Sequence, residues 1–262
     1  DPEGKLGLAN MVSGLIDEGA GEMDSQTFRS EMENRSISLS FDAGRDDFSG
    51  SLTTLTRERE TAIDLLRLAL SEPRFDDEAV ERIRAQIVSG LKQAENNPRD
   101  IASRTFFASI FGDHPYGRQP SGTLETVAGL NANDFRSFVR RAFAKDNLIV
   151  GVAGDITAEE LGPLLDEAFG ALPEKSDLPK VADVEPTFGA IEVVEQDIPQ
   201  SQAIWGQKGI ARKDPDFYAA YVMNYILGGG GFSSRLTEEV REKRGLAYGV
   251  YSYLANLDHA DL

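Results

Sequence analysis

The order of predicted elements at the start of the chain recurs near its end. Asp1-Pro2 precedes an apolar helical pattern, a Gly19-Ala20-Gly21 turn, a charged helix and a strand, and Asp214-Pro215 opens the same succession. The offset is roughly 210 residues, which indicates a repeat of whole domains rather than the short period of a solenoid. A chain of 262 residues has room for two ordinary domains. The repeat therefore predicts two similar domains, the second one incomplete.

Helical and strand patterns alternate along the chain. Ile37, Leu39 and Phe41 alternate as a strand, and residues 48–55 are expected to form its hairpin partner. Further strands are predicted at 148–152, at 191–194, at 203–205 and from about Tyr248. Helices are predicted at 8–16, 25–34, 62–70, 80–94, 98–111, 135–143, 157–169 and 218–227, the seventh with a Thr157–Glu160 capping box. We predict an α+β fold with a first domain at 1–172, an interdomain linker rich in Pro, Asp and Lys at 173–189, and the start of a second domain at 190–262.

Charge and composition exclude several classes of function. The formal net charge of −17 leaves no basic surplus for nucleic-acid backbones or anionic lipids. The absence of Cys excludes disulfides and thiol chemistry. No apolar run approaches the length that crosses a bilayer, so membrane insertion is not expected. The chain begins without Met and ends just after a predicted strand, and we expect a fragment or processed form in which the first strands lie outside.

The segment from Leu227 to Tyr253 carries the strongest functional signal. An apolar helix is followed by four consecutive glycines, then by a charged helix and an aromatic strand. Glycines cost backbone entropy, so such a run indicates a close approach or a hinge. Arg241 and Tyr248 are seven positions apart and could reach one common point. The four glycines, as candidate substrate-binding backbone, are Gly228, Gly229, Gly230 and Gly231.

Each of these features also has a purely structural interpretation. Arg241 stands among glutamates and fits a solvated helix face. Tyr248 fits a strand aromatic that packs on Tyr251 and Tyr253. The glycines fit a helix C-cap and turn. The residues alone leave these alternatives open.

Several motifs resemble one peptidase family along essentially the whole chain. Asp214-Pro215-Asp216, Ser233-Ser234-Arg235-Leu236 and the run from Arg241 to Tyr248 resemble the second domain of the pitrilysin-type (M16) zinc peptidases. The His114-Pro115-Tyr116-Gly117 loop with Gly122-Thr123 is similar to the family's first domain. The resemblance implies two homologous αβ-roll domains, each an antiparallel sheet with packed helices.

The zinc motif of that family is missing here. Its peptidases carry H-x-x-E-H on the first helix, where two histidines bind zinc and the glutamate activates water. Asn10 and Gly14 stand at the histidine positions and Ser13 at the glutamate position, and Gly90 or a neighbour replaces a later glutamate ligand. The two histidines of the chain, His114 and His259, lie far apart in sequence, and we expect His114 to bond the local backbone. No zinc site is therefore expected in this chain.

The resemblance implies a zinc-less subunit that pairs with a zinc-bearing partner of the same family. In that family an Arg and a Tyr, here Arg241 and Tyr248, bind peptide and stabilise the oxyanion at the zinc centre. The expected substrate is a peptide and the expected assembly a heterodimer, with a homo-oligomer as the alternative. A non-catalytic scaffold or peptide-binding protein is the rival function, and an autonomous zinc peptidase is disfavoured. Bacterial relatives of this type are often exported, which favours the periplasm over the cytoplasm.

Overall fold

The structure is a computed structural model that describes residues 1–262. Its contacts divide the chain into two compact units, one of residues 1–104 and 118–180, the other of residues 105–117 and 181–262. Helices with small antiparallel sheets make an α+β fold, as predicted. The predicted domains at 1–172 and 190–262 are defined by the sequence repeat, and their bounds differ from those of the two contact-based units. Their boundaries and homology, and the incompleteness of the second domain, stay predictions.

The first unit is mainly helical. Asp24 accepts a hydrogen bond from the Thr27 amide at the start of the second helix, and Thr157 and Glu160 form the predicted capping box at the last. Its helices are α1 (Leu8–Ser13), α2 (Ser25–Asn34), α3 (Arg59–Ser71), α4 (Asp77–Ala94), α5 (Pro98–Phe111, whose later residues belong to the second unit), α6 (Leu124–Gly129), α7 (Ala132–Ala142) and α8 (Ala158–Phe169).

One hairpin forms the sheet of the first unit. Strand β1 (Ser38–Ala43) pairs antiparallel with β2 (Phe48–Thr53), in the register that sets Ser38 opposite Thr53 and Ala43 opposite Phe48. Leu39 points into the core while its neighbours are exposed, which is the period-2 pattern of a half-buried strand. The predicted hairpin is confirmed.

Two apolar clusters hold the first unit together. The larger one joins α1, α4 and α7, with Met11, Leu15 and Phe135 fully buried. The smaller one gathers around Phe28, which α2 packs against α3 and β1. Beside them the buried Glu18 carboxylate is paired with two arginines, Arg29 at 3.0 Å and Arg82. Burial of a carboxylate is tolerated here because cations compensate it.

The second unit has less regular structure. Helix α9 (Phe217–Asn224) continues into a π-helical turn at Tyr225–Gly229, a 3₁₀ turn follows at Gly231–Ser233, and Thr237–Glu242 forms a second π-helical segment. Strands β3 (Asn256–Leu257) and β4 (Ala260–Asp261) make a short hairpin. Its apolar cluster contains Ile110, Phe111, Tyr116 and Ala260.

Four strand predictions are wrong. Residues 148–152, 191–194 and 203–205, and those around Tyr248, are not paired in a ladder, although Ile149, Ile191 and Trp205 are apolar and exposed. A strand is defined by hydrogen bonds to a neighbour, and no second strand of the described chain lies beside these segments. Alternating apolar residues can indicate a segment that could form a β-strand, but they do not indicate whether a second strand lies beside it.

None of the helices is both long enough and apolar enough to cross a lipid bilayer.

Candidate functional site

The residues that the resemblance sets at the zinc-motif positions do not fit a metal. The Ser13 hydroxyl donates to the Asn10 carbonyl 3.0 Å away within α1, and Asn10 is half-buried. A Cβ added at Gly14 would lie 3.1 Å from a methyl of Ile83, and Gly90 is exposed in open space. The structure holds no group of three or more His, Cys, Asp or Glu side chains arranged around a metal position. With neither imidazole nor carboxylate at these positions, zinc has no ligands here.

Arg241 and Tyr248 come together, as their spacing suggested. The guanidinium carbon of Arg241 lies 5.1 Å from the centroid of the Tyr248 ring. It also lies 5.0 Å from the centroid of Phe232, a residue that sequence reasoning missed. Both distances are within the range of a cation–π contact. These three side chains are called the arginine stack below.

The polar ends of the stack, which are the terminal guanidinium nitrogens of Arg241 and the Tyr248 hydroxyl, make no hydrogen bond within the chain. The only ion pair of Arg241 is a 3.4 Å contact from Nε to the Glu242 carboxylate, and its terminal nitrogens remain unbonded. Tyr248 is 86% exposed, and its hydroxyl makes no hydrogen bond within the chain. A planar guanidinium fork and a phenol are therefore both available to a ligand from one place.

The neighbouring charges are satisfied by one another rather than by Arg241. The Glu239 carboxylate accepts from Lys243 and Arg244, both at 2.7 Å, and Lys243 also pairs with Glu238 at 2.8 Å. The hydrogen bonds from Lys243 and then Arg244 lower the pKa of Glu239 to about 2, so it stays ionised near neutrality. The solvated-face interpretation therefore describes Lys243 and Arg244, whereas Arg241 contacts aromatic rings.

Tyr248 does not pack as an ordinary strand aromatic. Tyr251 and Tyr253 stack on each other, with ring centroids 6.3 Å apart, whereas the ring contact of Tyr248 is with Arg241. The segment containing Tyr248 has no regular secondary structure, and the chain bends at Tyr248 itself. The structure therefore favours the cation contact over the strand-packing alternative.

The four glycines lie in two different environments. Gly228 is buried, and a Cβ there would meet the Ser252 amide nitrogen and hydroxyl, both at 2.5 Å. A Cβ at Gly230 would lie 2.8 Å from the Tyr225 carbonyl oxygen. Gly229 and Gly231 are exposed, and Gly231 has φ of +61°, which glycine adopts without strain. The close approach predicted for this glycine run is found at Gly228, where its backbone lies against the backbone of Ser252.

Replacing Gly228 with Ala is expected to destabilise the protein by about 1–3 kcal/mol, because the new methyl group overpacks against the Ser252 backbone. Denaturant unfolding of the full chain, followed by circular dichroism, measures this. The control is Gly249→Ala, since a Cβ at Gly249 meets nothing within 4 Å. Equal unfolding free energies for the two variants would contradict the packing role of Gly228.

Both histidines contact Tyr116, although they are far apart in sequence. The His114 ring lies 4.8 Å and the His259 ring 6.3 Å from the Tyr116 ring, centroid to centroid. His114 Nε2 donates to the Ala182 carbonyl at 2.9 Å, and its Nδ1 accepts from the Tyr116 amide at 3.2 Å. With both nitrogens bonded to backbone, His114 is the structural loop histidine that we expected.

Two buried hydroxyls connect the glycine turn to the helix of Arg241: Ser234, which lies in the quoted Ser233–Leu236 motif, and Thr237, which sequence reasoning missed. Ser234 Oγ donates to Thr237 Oγ1, which donates to the Gly231 carbonyl, both at 3.0 Å. The Ser-x-x-Thr spacing is a helix N-cap signal that could have revealed Thr237. These hydrogen bonds therefore join the turn that carries Phe232 to the helix that carries Arg241.

Comparison with known proteins fixes the family. Residues 129–261 match the family model described as the peptidase M16 inactive domain. The chain belongs to the M16 peptidase family. A relative from Helicobacter pylori, described as a non-peptidase homolog, is 29% identical over 94% of this chain and 57% of its own length. An uncharacterized zinc protease of Streptomyces coelicolor is 35% identical over 73% of this chain and 43% of its own length.

A solved structure supports the same M16 assignment. The crystal structure of a peptidase M16 inactive domain from Pseudomonas fluorescens has a TM-score of 0.86 and 28% identity, over 98% of this chain and 63% of that one. The chain therefore spans about three fifths of this structure and 57% of the Helicobacter relative. That structure is described as an inactive domain, and Asn10, Ser13 and Gly14 of this chain carry neither imidazole nor carboxylate.

Proposed function

We propose that this chain is the non-zinc-binding subunit of an M16-type peptidase. It would pair with a family member that carries H-x-x-E-H and contribute Arg241 and Tyr248 to peptide binding and hydrolysis. The observation that carries the proposal is the arginine stack, in which Arg241 lies 5.1 Å from the Tyr248 ring and both polar ends are unbonded. Zinc would be held by the partner, since no residues of this chain fit it.

The two side chains suit different parts of a peptide. The Tyr248 hydroxyl can donate to the carbonyl oxygen that gains negative charge when a peptide bond is attacked. The Arg241 fork can hold a neighbouring carbonyl or carboxylate by two parallel hydrogen bonds. Because Arg241 contacts the Tyr248 ring, both groups would act on one bound peptide. The exposed Gly229 and Gly231 would leave room for its backbone.

The test reconstitutes the pair from purified full-length proteins. We expect this chain alone to be inactive on a quenched fluorescent peptide and to raise the turnover of the zinc-bearing family member from the same organism by about tenfold or more. A partner whose motif glutamate is replaced by Gln should show no activity with or without this chain. A mixture no more active than the partner alone would reject the shared site.

A scaffold or peptide-binding role is the second candidate. It is favoured by the description of the Helicobacter pylori relative as a non-peptidase homolog, a protein 29% identical over most of this chain. In that case the chain would bind peptide or partner without raising turnover, and replacement of Arg241 would leave the assembly and its rate unchanged. Calorimetric binding measured beside the rate assay distinguishes the two functions.

A further inference from the structure

Phe232 has a position that burial does not explain. Its side chain is 78% exposed, so the hydrophobic effect contributes little to holding it in place. Yet its ring lies against the Arg241 guanidinium, with 5.0 Å from the guanidinium carbon to the ring centroid. An exposed aromatic with a single cationic contact is more useful for that contact than for packing.

The turn that carries Phe232 is bonded to the helix that carries Arg241. Gly231 has φ of +61°, which directs the chain into the 3₁₀ turn at Gly231–Ser233. The Gly231 carbonyl accepts from the Ser234 amide at 3.1 Å and from the Thr237 hydroxyl at 3.0 Å. Ser234 and Thr237 are buried, with 1% and 6% exposure. Phe232 is therefore held at a defined place relative to the π-helical segment Thr237–Glu242.

Arg241 needs such support because its other contacts are weak. Its long side chain is flexible, and the 3.4 Å contact with Glu242 involves an exposed neighbour on the same helix. The Phe232 ring leaves the terminal nitrogens free, whereas a carboxylate in the same place would occupy them. A ring thus restricts the guanidinium without competing for its hydrogen bonds.

We propose that Phe232 is a positioning residue that holds the Arg241 guanidinium against Tyr248, so that the fork and the phenol are presented to a peptide together. This inference rests on the proposed function for its catalytic consequence, but the positioning itself can be measured in the chain alone. The aromatic character of the Phe232 side chain, rather than its size, is what holds the guanidinium.

The first experiment measures position without activity. In the isolated full chain, the Nε–Hε signal of Arg241, assigned with Arg241→Lys, should be displaced by the ring currents of Phe232 and Tyr248. Phe232→Leu should move it towards the signals of exposed arginines, and Phe232→Trp should retain the displacement. An unchanged Arg241 signal in Phe232→Leu, with the wild-type unfolding midpoint, would overturn the proposal.

The second experiment measures the consequence in the reconstituted pair. Phe232→Leu should lower kcat about two- to fivefold, the size of an exposed cation–π contact, while Phe232→Trp keeps the wild-type rate. In the Arg241→Ala background, Phe232→Leu should have no further effect. Equal loss in the Leu and Trp variants would show that shape rather than the ring matters and would overturn the inference.

The two experiments separate the two proposals. If the Arg241 signal responds to Phe232→Leu but the wild-type chain does not activate the partner, the positioning stands and the proposed function fails. If the chain activates the partner, but neither the Arg241 Nε–Hε signal nor kcat changes in Phe232→Leu, the proposed function stands and the positioning role is rejected.

Discussion

Arg241→Ala is expected to lower kcat of the reconstituted pair by about 10²–10³, because the Arg241 fork aligns the peptide so that its carbonyl oxygen reaches the Tyr248 hydroxyl, and a misaligned peptide loses that oxyanion donor in the transition state. The zinc content of the partner should not change, because no metal ligand is removed. The loss should fall mainly on kcat, since a contact made to the transition state affects the rate more than the ground-state affinity. Steady-state kinetics with metal analysis of each pair provides the measurement.

Two matched variants, Arg244→Ala and Arg241→Lys, sharpen this prediction. Arg244→Ala removes the same charge from the same segment, but Arg244 pairs with Glu239 at 2.7 Å rather than with the rings. It should leave kcat within about twofold, because exposed ion pairs contribute little. Arg241→Lys keeps the charge and loses the planar fork, so an intermediate rate is expected. Equal rates for Arg241→Ala and Arg244→Ala would mean that charge alone acts, and the arginine stack would have no catalytic role.

The sequence predicts helices well where their ends carry a local signal. Helix α2 begins at Ser25 because Asp24 caps it, and α5 begins at Pro98, whose fixed φ suits a first helical position. Helix α1 shows the limit. Its apolar pattern continues to Leu15 and Ile16, which are fully buried, but the helix ends at Ser13. Apolar spacing predicts which residues are buried more reliably than it predicts backbone hydrogen bonding.

Half of the candidate site was predictable. The seven-residue spacing and the family resemblance predict that Arg241 and Tyr248 lie near one point, and in the structure the guanidinium carbon is 5.1 Å from the centroid of the Tyr248 ring. Phe232 could not be found in this way, because its contact depends on the positive φ of Gly231 and on the bonds of buried Thr237. The helix carrying Arg241 is π-helical, and a pattern of 3.6 residues does not reveal that either.

The glycine of the Gly122-Thr123 motif has a structural explanation, and replacing it should have a large effect on stability. Gly122 has φ of +79°, and a Cβ there would lie 2.4 Å from the Leu6 carbonyl oxygen and 3.0 Å from the Gly7 Cα. Backbone therefore crosses backbone where this loop meets the start of α1. Thr126 completes the contact, since its hydroxyl donates to the Leu6 carbonyl at 2.8 Å.

Gly122→Ala is expected to lower the free energy of unfolding by about 2–5 kcal/mol, the sum of left-handed backbone strain and overpacking. That is a large part of the stability of an ordinary domain. Gly129→Ala is the control, because Gly129 ends α6 with nothing within 4 Å of a Cβ, and it should be neutral or stabilising by up to about 1 kcal/mol. Denaturant unfolding of both variants measures the difference. Because neither Leu6 nor Gly7 can move away without displacing the start of α1, coinciding unfolding curves for the two variants would mean that the chains do not cross at Gly122.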